Sequence, residues 1–443
     1  MSSRIRSMIW CLAVRFRVIG IVFHRSGSVR IGQMSSFIFS LCYRDIWYRR
    51  CLGEEASLSL HQFVKDKSMA GQRNVEVDVI RMVALMGICI VNVPFIALPV
   101  EAVFIAPESL PDRLGAFIVE GLFQLKFFLL FSFIFGWGME IQAQAARRAG
   151  QAFFKRYFRR LAGLAVMGIG HAVLVFSGDI LLLYALLGGL LWLIRKMTPR
   201  YLIYFALGMI PISLACLSLL AIVIDEVLKA DMLTIANDGH HLGGTFLQAT
   251  QGRLHEWPLT FAFLLFLQGP LALGAFACGL AAARTDFFVL GNGGVKALQQ
   301  SLPLLLLIAL PCNLLYAATM SGIIPASLDG LSFLGFIAIG IGAPALSAVY
   351  LYLTILGARH FRMPLYFVLA GRNSLSTYIL QGVLCGFVFG GYGLQLFNQF
   401  GLLLLIPVSI VIGVLSMLLV GGYARMFGRG PLEPVLRRIS GKM

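Results

Sequence analysis

His171 and Asp179 stand eight residues apart in GHAVLVFSGDILLLYALLG, inside a stretch otherwise apolar enough for a membrane. A neutral imidazole in a partly wet cavity takes a proton or an acyl group, and a nearby carboxylate orients and strengthens it. The structural alternatives are as definite. His171 then makes one interhelical hydrogen bond, and Asp179 caps the helix that follows it by accepting from its free N–H groups. Ionisable side chains inside hydrocarbon cost ~2.5–3.5 kcal/mol or more each, so a chain that keeps them pairs them or uses them.

Four further groups raise the same question. Asp78 and Arg81 share a helix face, and Asn92 lies eleven residues beyond Arg81, about three turns and almost in line. Arg81 is either half of an inner-interface ion pair or part of an anion site. Lys126, in AFIVEGLFQLKFFLLFSFIFGWG, falls about 13 Å into a span that starts near Phe117, close to the midplane. It needs a carboxylate, Glu120 or Asp179, or an anionic ligand. GRNSLSTYILQG aligns Arg372 with Ser376, Asn373 with Thr377 and Gln381, and Ser374 with Tyr378, a polar face that lines a cavity or a tight bundle. Gln268, Pro270, Pro311 and Asn313 would let two further helices open toward the same interior. His240, His241 and His255 share an outer loop, but adjacent histidines point to different sides and no metal site is expected.

These residues need a scaffold, and the composition names it. The 443 residues are 59% hydrophobic and 13% charged, with a mean hydropathy of +0.85, which excludes a soluble globular domain. Ten apolar runs near the length of a span lie at 80–99, 117–139, 158–177, 180–195, 201–224, 258–283, 298–320, 331–356, 365–391 and 401–424. With the N-terminus inside, the inner connections and tail hold eighteen Lys or Arg, against Arg113, Lys229 and Arg253 in the outer loops. Positive loops stay cytoplasmic. The expectation is an all-α polytopic bundle of about ten transmembrane helices, multi-pass in a bacterial inner membrane, with both termini cytoplasmic.

The net charge of +16 is then topology and attraction to the inner leaflet of the bilayer, with no nucleic-acid partner. Eight cysteines without a C-x-x-C pair, five of them inside spans, argue against a disulfide scaffold or a zinc site. Residues 1–74 are expected to be a disordered basic extension or a start placed upstream of a natural beginning at Met69. Residues 75–440 form one helical domain. No phosphate-binding glycine loop, G-x-S-x-G or H-E-x-x-H is present.

Three stretches carry a family resemblance: DVIRMVALMGICIVN; KFFLLFSFIFGWG through RRLAGLAVMGIGHAVLVFSGDILLLYALLG; and GRNSLSTYILQGVLCGFVFGGYGL continuing to GRGPLEPVLRR. Over about 75–440 the chain resembles the YeiB-like bacterial membrane proteins, whose shared portion is labelled domain of unknown function four hundred and eighteen. That family's first-span pattern is also similar to transmembrane acyltransferases, including heparan glucosaminide N-acetyltransferase relatives. The similarity implies an acyl-CoA co-substrate on the cytoplasmic side and a sugar or alcohol acceptor reached across the membrane, with no bound cofactor. The pattern departs at Met82, where the family has glycine, and in lacking a histidine between spans one and two.

Three function classes follow. In acyl transfer, His171 and Asp179 are catalytic, and Arg81, Asn92, Lys126, Arg372, Asn373 and Gln381 bind substrate. In a carrier of a small anionic or lipid-like solute, Lys126 and Arg372 are counter-charges and the His171–Asp179 pair a proton relay. In a structural envelope protein, neither Lys126 nor His171 matters beyond stability.

Overall fold

The computed structural model describes residues 74–99, 105–229, 243–289, 293–325 and 329–441. The basic extension, apart from Asn74, lies outside them, as do His240 and His241. Every regular element among the described residues is a helix: α1 Val75–Ala97, α2 Leu110–Leu122, α3 Lys126–Arg148, α4 Phe153–Leu174, α5 Leu181–Ile194, α6 Pro199–Lys229, α7 Phe246–Arg284, α8 Gly293–Met320, α9 Asp329–His360, α10 Leu365–Arg372, α11 Ser374–Phe389, α12 Leu402–Phe427 and α13 Glu433–Ser440. The fold is an all-α membrane bundle, and each apolar run of the sequence coincides with helix. Among the described residues, seven stretches are long and apolar enough to cross a membrane, counting Leu110–Arg148 as one; α5 and α11 are apolar but shorter.

Two runs that read as continuous are broken. The run at 117–139 divides between α2 and α3 at Phe123–Leu125, where Leu125 adopts φ 64°, a left-handed conformation that costs a leucine about 1–2 kcal/mol. Such strain persists only where its surroundings over-determine it, and Leu125 is 2% exposed. The run at 365–391 divides at Asn373 between α10 and α11. The polar rows expected there therefore start at the break, and Arg372 ends a separate short helix.

Contacts gather the basic ends of the helices at one end of the bundle. Glu140 of α3 accepts from Arg147 at 2.6 Å and from Arg284 of α7 at 2.9 Å. Arg284 also donates to the carbonyls of Arg195 and Met197 beyond α5, and Arg359 of α9 bridges to Glu76 of α1 at 2.9 Å. The centre is packed closely enough for backbones to touch. A Cβ on Gly136 of α3 would lie 1.9 Å from the Phe276 carbonyl oxygen, and one on Gly279 of α7 would lie 1.8 Å from that of Phe133. Small residues at a helix crossing maximise dispersion contact where lipid supplies no hydrophobic drive.

The tail is tied down by polar contacts. Ser376 donates its backbone N–H and its hydroxyl to the two Glu433 oxygens, at 3.0 and 2.5 Å, and Gly430 N–H donates to Asn373 Oδ1 at 2.8 Å. Glu433 thereby caps α11 from another segment, satisfying an orphan donor and complementing the helix dipole. Replacing Glu433 with alanine should cost about 1–3 kcal/mol and speed tryptic cleavage at Arg437 or Arg438, which are exposed. Unchanged melting and cleavage would show that α13 is held by its apolar contacts alone.

Candidate functional site

The site lies at the end of the bundle opposite Arg148 and Arg195. It is built on a hairpin of one long and one short helix: α4 has 22 residues and α5 only 14, about 21 Å for the latter at 1.5 Å per residue. Their turn is enclosed by protein: Phe176 is 7% and Ile180 5% exposed. Irregular backbone inside a membrane protein needs such cover. Arg253, from the first turns of the 39-residue α7, supplies part of it by donating to the Val173 carbonyl at 3.0 Å and the Leu174 carbonyl at 3.0 Å, carbonyls that α4 leaves free at its C-terminus.

Within this cover His171 Nδ1 meets Asp179 Oδ1 at 2.8 Å, with the side chains 2% and 0% exposed. Asp179 Oδ2 accepts from the N–H groups of Leu181 at 2.8 Å and Leu182 at 3.3 Å, the first turn of α5. Tyr378 of α11 donates its hydroxyl to Asp179 Oδ1 at 3.3 Å and accepts from Ile180 N–H. The carboxylate thus has four donors around two oxygens. Asp179 both caps α5 and hydrogen-bonds His171.

That arrangement fixes the ring. With Asp179 as a carboxylate and the ring neutral, Nδ1 donates to Oδ1 and Nε2 keeps a lone pair. Nε2 is buried and has no hydrogen-bond partner among the described residues. It faces Gly382 of α11, where an added Cβ would stand 2.6 Å away. One residue earlier, Gln381 donates to the Leu85 carbonyl of α1 at 3.3 Å, which joins α1 to the dyad's neighbourhood. Asn92 is half-buried two turns further along α1.

The other expected residues divide between two places. Arg81 pairs with Asp78 at 3.2 Å near Gly371, whose Cβ would meet the Asp78 carbonyl and Met82; Arg372 and Asn373 sit at the same basic end. Met82, where the family pattern has glycine, is thus matched by a glycine on the facing helix. Because the helix breaks before it, Lys126 is the first residue of α3, about 33 Å from Arg148 at 1.5 Å per residue. Its Nζ donates to the Glu120 carbonyl at 2.6 Å and lies 5.7 Å from the Tyr316 ring centre, while Tyr316 donates to Glu120 Oε2 at 2.7 Å. Glu120, and not Asp179, is its carboxylate neighbour. Glu120 also lines a cavity of about 30 Å³, room for about one water.

Arg160 escaped the sequence reading because it was counted only as a topology charge. It precedes His171 on α4 by eleven residues, so the two lie about 16 Å apart and within about 20° of one line along the helix. That spacing was the available signal. Tyr378 stood out only as one member of a polar row, and Arg253 only as an outer-loop charge.

Residues 282–442 match the family described as "Protein of unknown function (DUF418)". The chain is 29% identical over 398 residues to the uncharacterized protein YxaH of Bacillus subtilis (strain 168), an alignment that covers 83% of this chain and 94% of the relative. It is 27% identical over 409 residues to the uncharacterized protein YeiB of Escherichia coli (strain K12), covering 83% and 96%. No solved structure matches it.

Proposed function

This chain belongs to the YeiB-like DUF418 family of membrane proteins, and from that premise we propose that it transfers an acyl group from a cytoplasmic acyl-CoA to a hydroxyl or amino acceptor at the opposite face of a bacterial inner membrane. The observation that carries this reading is the enclosed His171–Asp179 pair with the Nε2 lone pair unspent. His171 Nε2 removes the acceptor's proton as its oxygen or nitrogen attacks the thioester carbonyl carbon. The carbon–sulfur bond then breaks and CoA leaves as the thiol, taking a proton that His171 returns. Asp179 holds Nδ1–H and stabilises the imidazolium between these steps.

The two ends of α4 serve the two substrates. Arg160 at the basic end, with Arg81, receives the anionic part of the donor, and the pantetheine arm follows the α4 face toward His171. Gly382 closes against Nε2, so acceptor entry requires α11 to draw away from α4. Lys126 and Glu120 lie apart from this path and do not hold the donor phosphates.

The test uses purified full-length protein in liposomes, with acetyl-CoA and longer acyl-CoAs and a lipid and polysaccharide extract as acceptor, reading released CoA thiol. His171→Ala should lower release by about 10²–10⁴-fold while donor binding and melting temperature hold. Full release by that variant, or no binding of any acyl-CoA to folded protein, sinks the reading.

A second reading, a carrier for a small anionic solute, is favoured by the two discontinuous helices and by the buried Lys126–Glu120–Tyr316 group at one of the breaks. It requires a proton gradient to drive solute into liposomes with no covalent product.

A further inference from the structure

The basic end holds a group of arginines that the dyad does not use. Arg160 lies within electrostatic reach of Arg81 on α1 and Arg156 on its own helix, with Glu433 the one carboxylate acting on it among the described residues. The described anions nearby already have partners. Asp78 pairs with Arg81 at 3.2 Å, and both oxygens of Glu433 already accept from Ser376. Arg160 Nε and Arg156 Nη1 are buried and have no hydrogen-bond partner among the described residues.

Like charges gathered in a half-buried place repel, and a buried guanidinium N–H without an acceptor forfeits its hydration. A folded chain keeps such an arrangement where an external anion completes it. Arginine suits one geometry above others, because its planar donor fork matches the oxygens of a phosphate. The floor of the place is fixed: α13 packs on α4 through Leu436 and Ile439 against Gly163, and the hydroxyl of Tyr157, which lies between the two arginines in sequence, is spent on the Gly188 carbonyl at 2.9 Å. Only the guanidinium groups are left to bind.

We propose that Arg156 and Arg160, with Arg81 behind them, form a binding site for a phosphate group between α1, α4 and α13. The phosphate comes from one of two sources, a soluble ligand such as the donor of the proposed reaction or the headgroup of an anionic phospholipid. The proposal draws on the acyl-transfer reading only for the first source. The site itself stands on the arginine geometry.

Binding is read without turnover, so that this proposal and the role of His171 fail separately. Full-length protein in phosphatidylcholine nanodiscs is titrated with adenosine 3′,5′-bisphosphate by calorimetry. In parallel, its melting temperature is followed as phosphatidylglycerol replaces phosphatidylcholine. Saturable bisphosphate binding identifies a soluble phosphate; a rise in melting temperature with phosphatidylglycerol alone identifies the headgroup. In the arm that responds, the double variant Arg156→Gln/Arg160→Gln should weaken binding by about ten- to a hundredfold. Arg437→Gln/Arg438→Gln, on the exposed side of α13, should leave it unchanged. Arg160→Lys keeps the charge without the fork and should fall between; it also serves if the double variant does not fold. Response in neither arm, or equal loss in the Arg437/Arg438 variant, overturns the proposal.

Discussion

Asp179→Asn should lower acyl transfer by about 10²–10⁴-fold, as much as removal of His171, while the fold survives. Asp179 Oδ2 faces two backbone N–H groups and Oδ1 faces His171 Nδ1 and the Tyr378 hydroxyl. An asparagine has one oxygen, and the two backbone donors cannot turn away. The oxygen therefore stays on Leu181 and Leu182, and the amide N–H points at Nδ1. His171 must then accept at Nδ1 and carry its proton on Nε2, which abolishes the basic site without emptying the space. Nitrogen-15 spectra of labelled His171 read that tautomer directly and do not need the substrate. Asp179→Ala should instead lower melting too, since it strips the acceptor from the first turn of α5. An asparagine variant that keeps Nδ1–H, or more than about a tenth of the rate, would return the pair to a structural role.

Gly279→Val should prevent assembly of the bundle, and Gly279→Ala should cost about 1–3 kcal/mol or more. The atom that the new Cβ meets is the Phe133 carbonyl oxygen at 1.8 Å, with the Trp137 backbone nitrogen at 2.8 Å. Neither can rotate aside, so α3 and α7 must separate. The separation also undoes the reciprocal contact at Gly136 and the stacking of Phe135 on Phe276, whose ring centres are 4.6 Å apart. Gly138, two residues along α3, gives the control, because a Cβ there meets nothing within 4 Å. Gly138→Ala should be neutral or gain up to about 1 kcal/mol from reduced backbone entropy. Size-exclusion profiles and thermal half-lives in detergent decide it. Equal behaviour of Gly138→Ala and Gly279→Ala would mean that the α3–α7 contact is looser than described.

The helices were legible in the sequence because a bilayer imposes one rule, long apolar runs, and the chain follows it. The breaks were not. Leucine at position 125 carries no turn signal, and its left-handed backbone is set by neighbours from other segments. The local setting of Lys126 depends on that break: a continuous run reads it as mid-helix, whereas the break makes it the first residue of α3, beside Glu120. At the site, the eight-residue spacing of His171 and Asp179 admitted a cap or a pair, and the structure puts the cap of α5 and the contact with His171 on one carboxylate. The Tyr378 hydroxyl, the Gly382 contact and the Glu433 cap depend on residues about 57 to 211 positions apart meeting in space, which no local pattern encodes. Arg156 and Arg160 were visible only as charges, since burial of single nitrogen atoms has no sequence signature.

The enclosed turn between α4 and α5 also sets a timetable for biogenesis. Asp179 and Tyr378 are 199 residues apart, so at ~5–20 residues per second the ribosome needs about 10–40 s to deliver α11 after the hairpin has emerged. For that interval a polar turn, followed by a 14-residue helix shorter than a full span, waits without its roof. Arg253, only 74 residues beyond Asp179, arrives first and can shield the carbonyls of Val173 and Leu174 before synthesis ends. The order of codons thus serves as an order of protection, and a nascent chain stalled between residues 194 and 253, with neither Arg253 nor α11 in place, should be the species that membrane quality-control proteases find hardest to ignore.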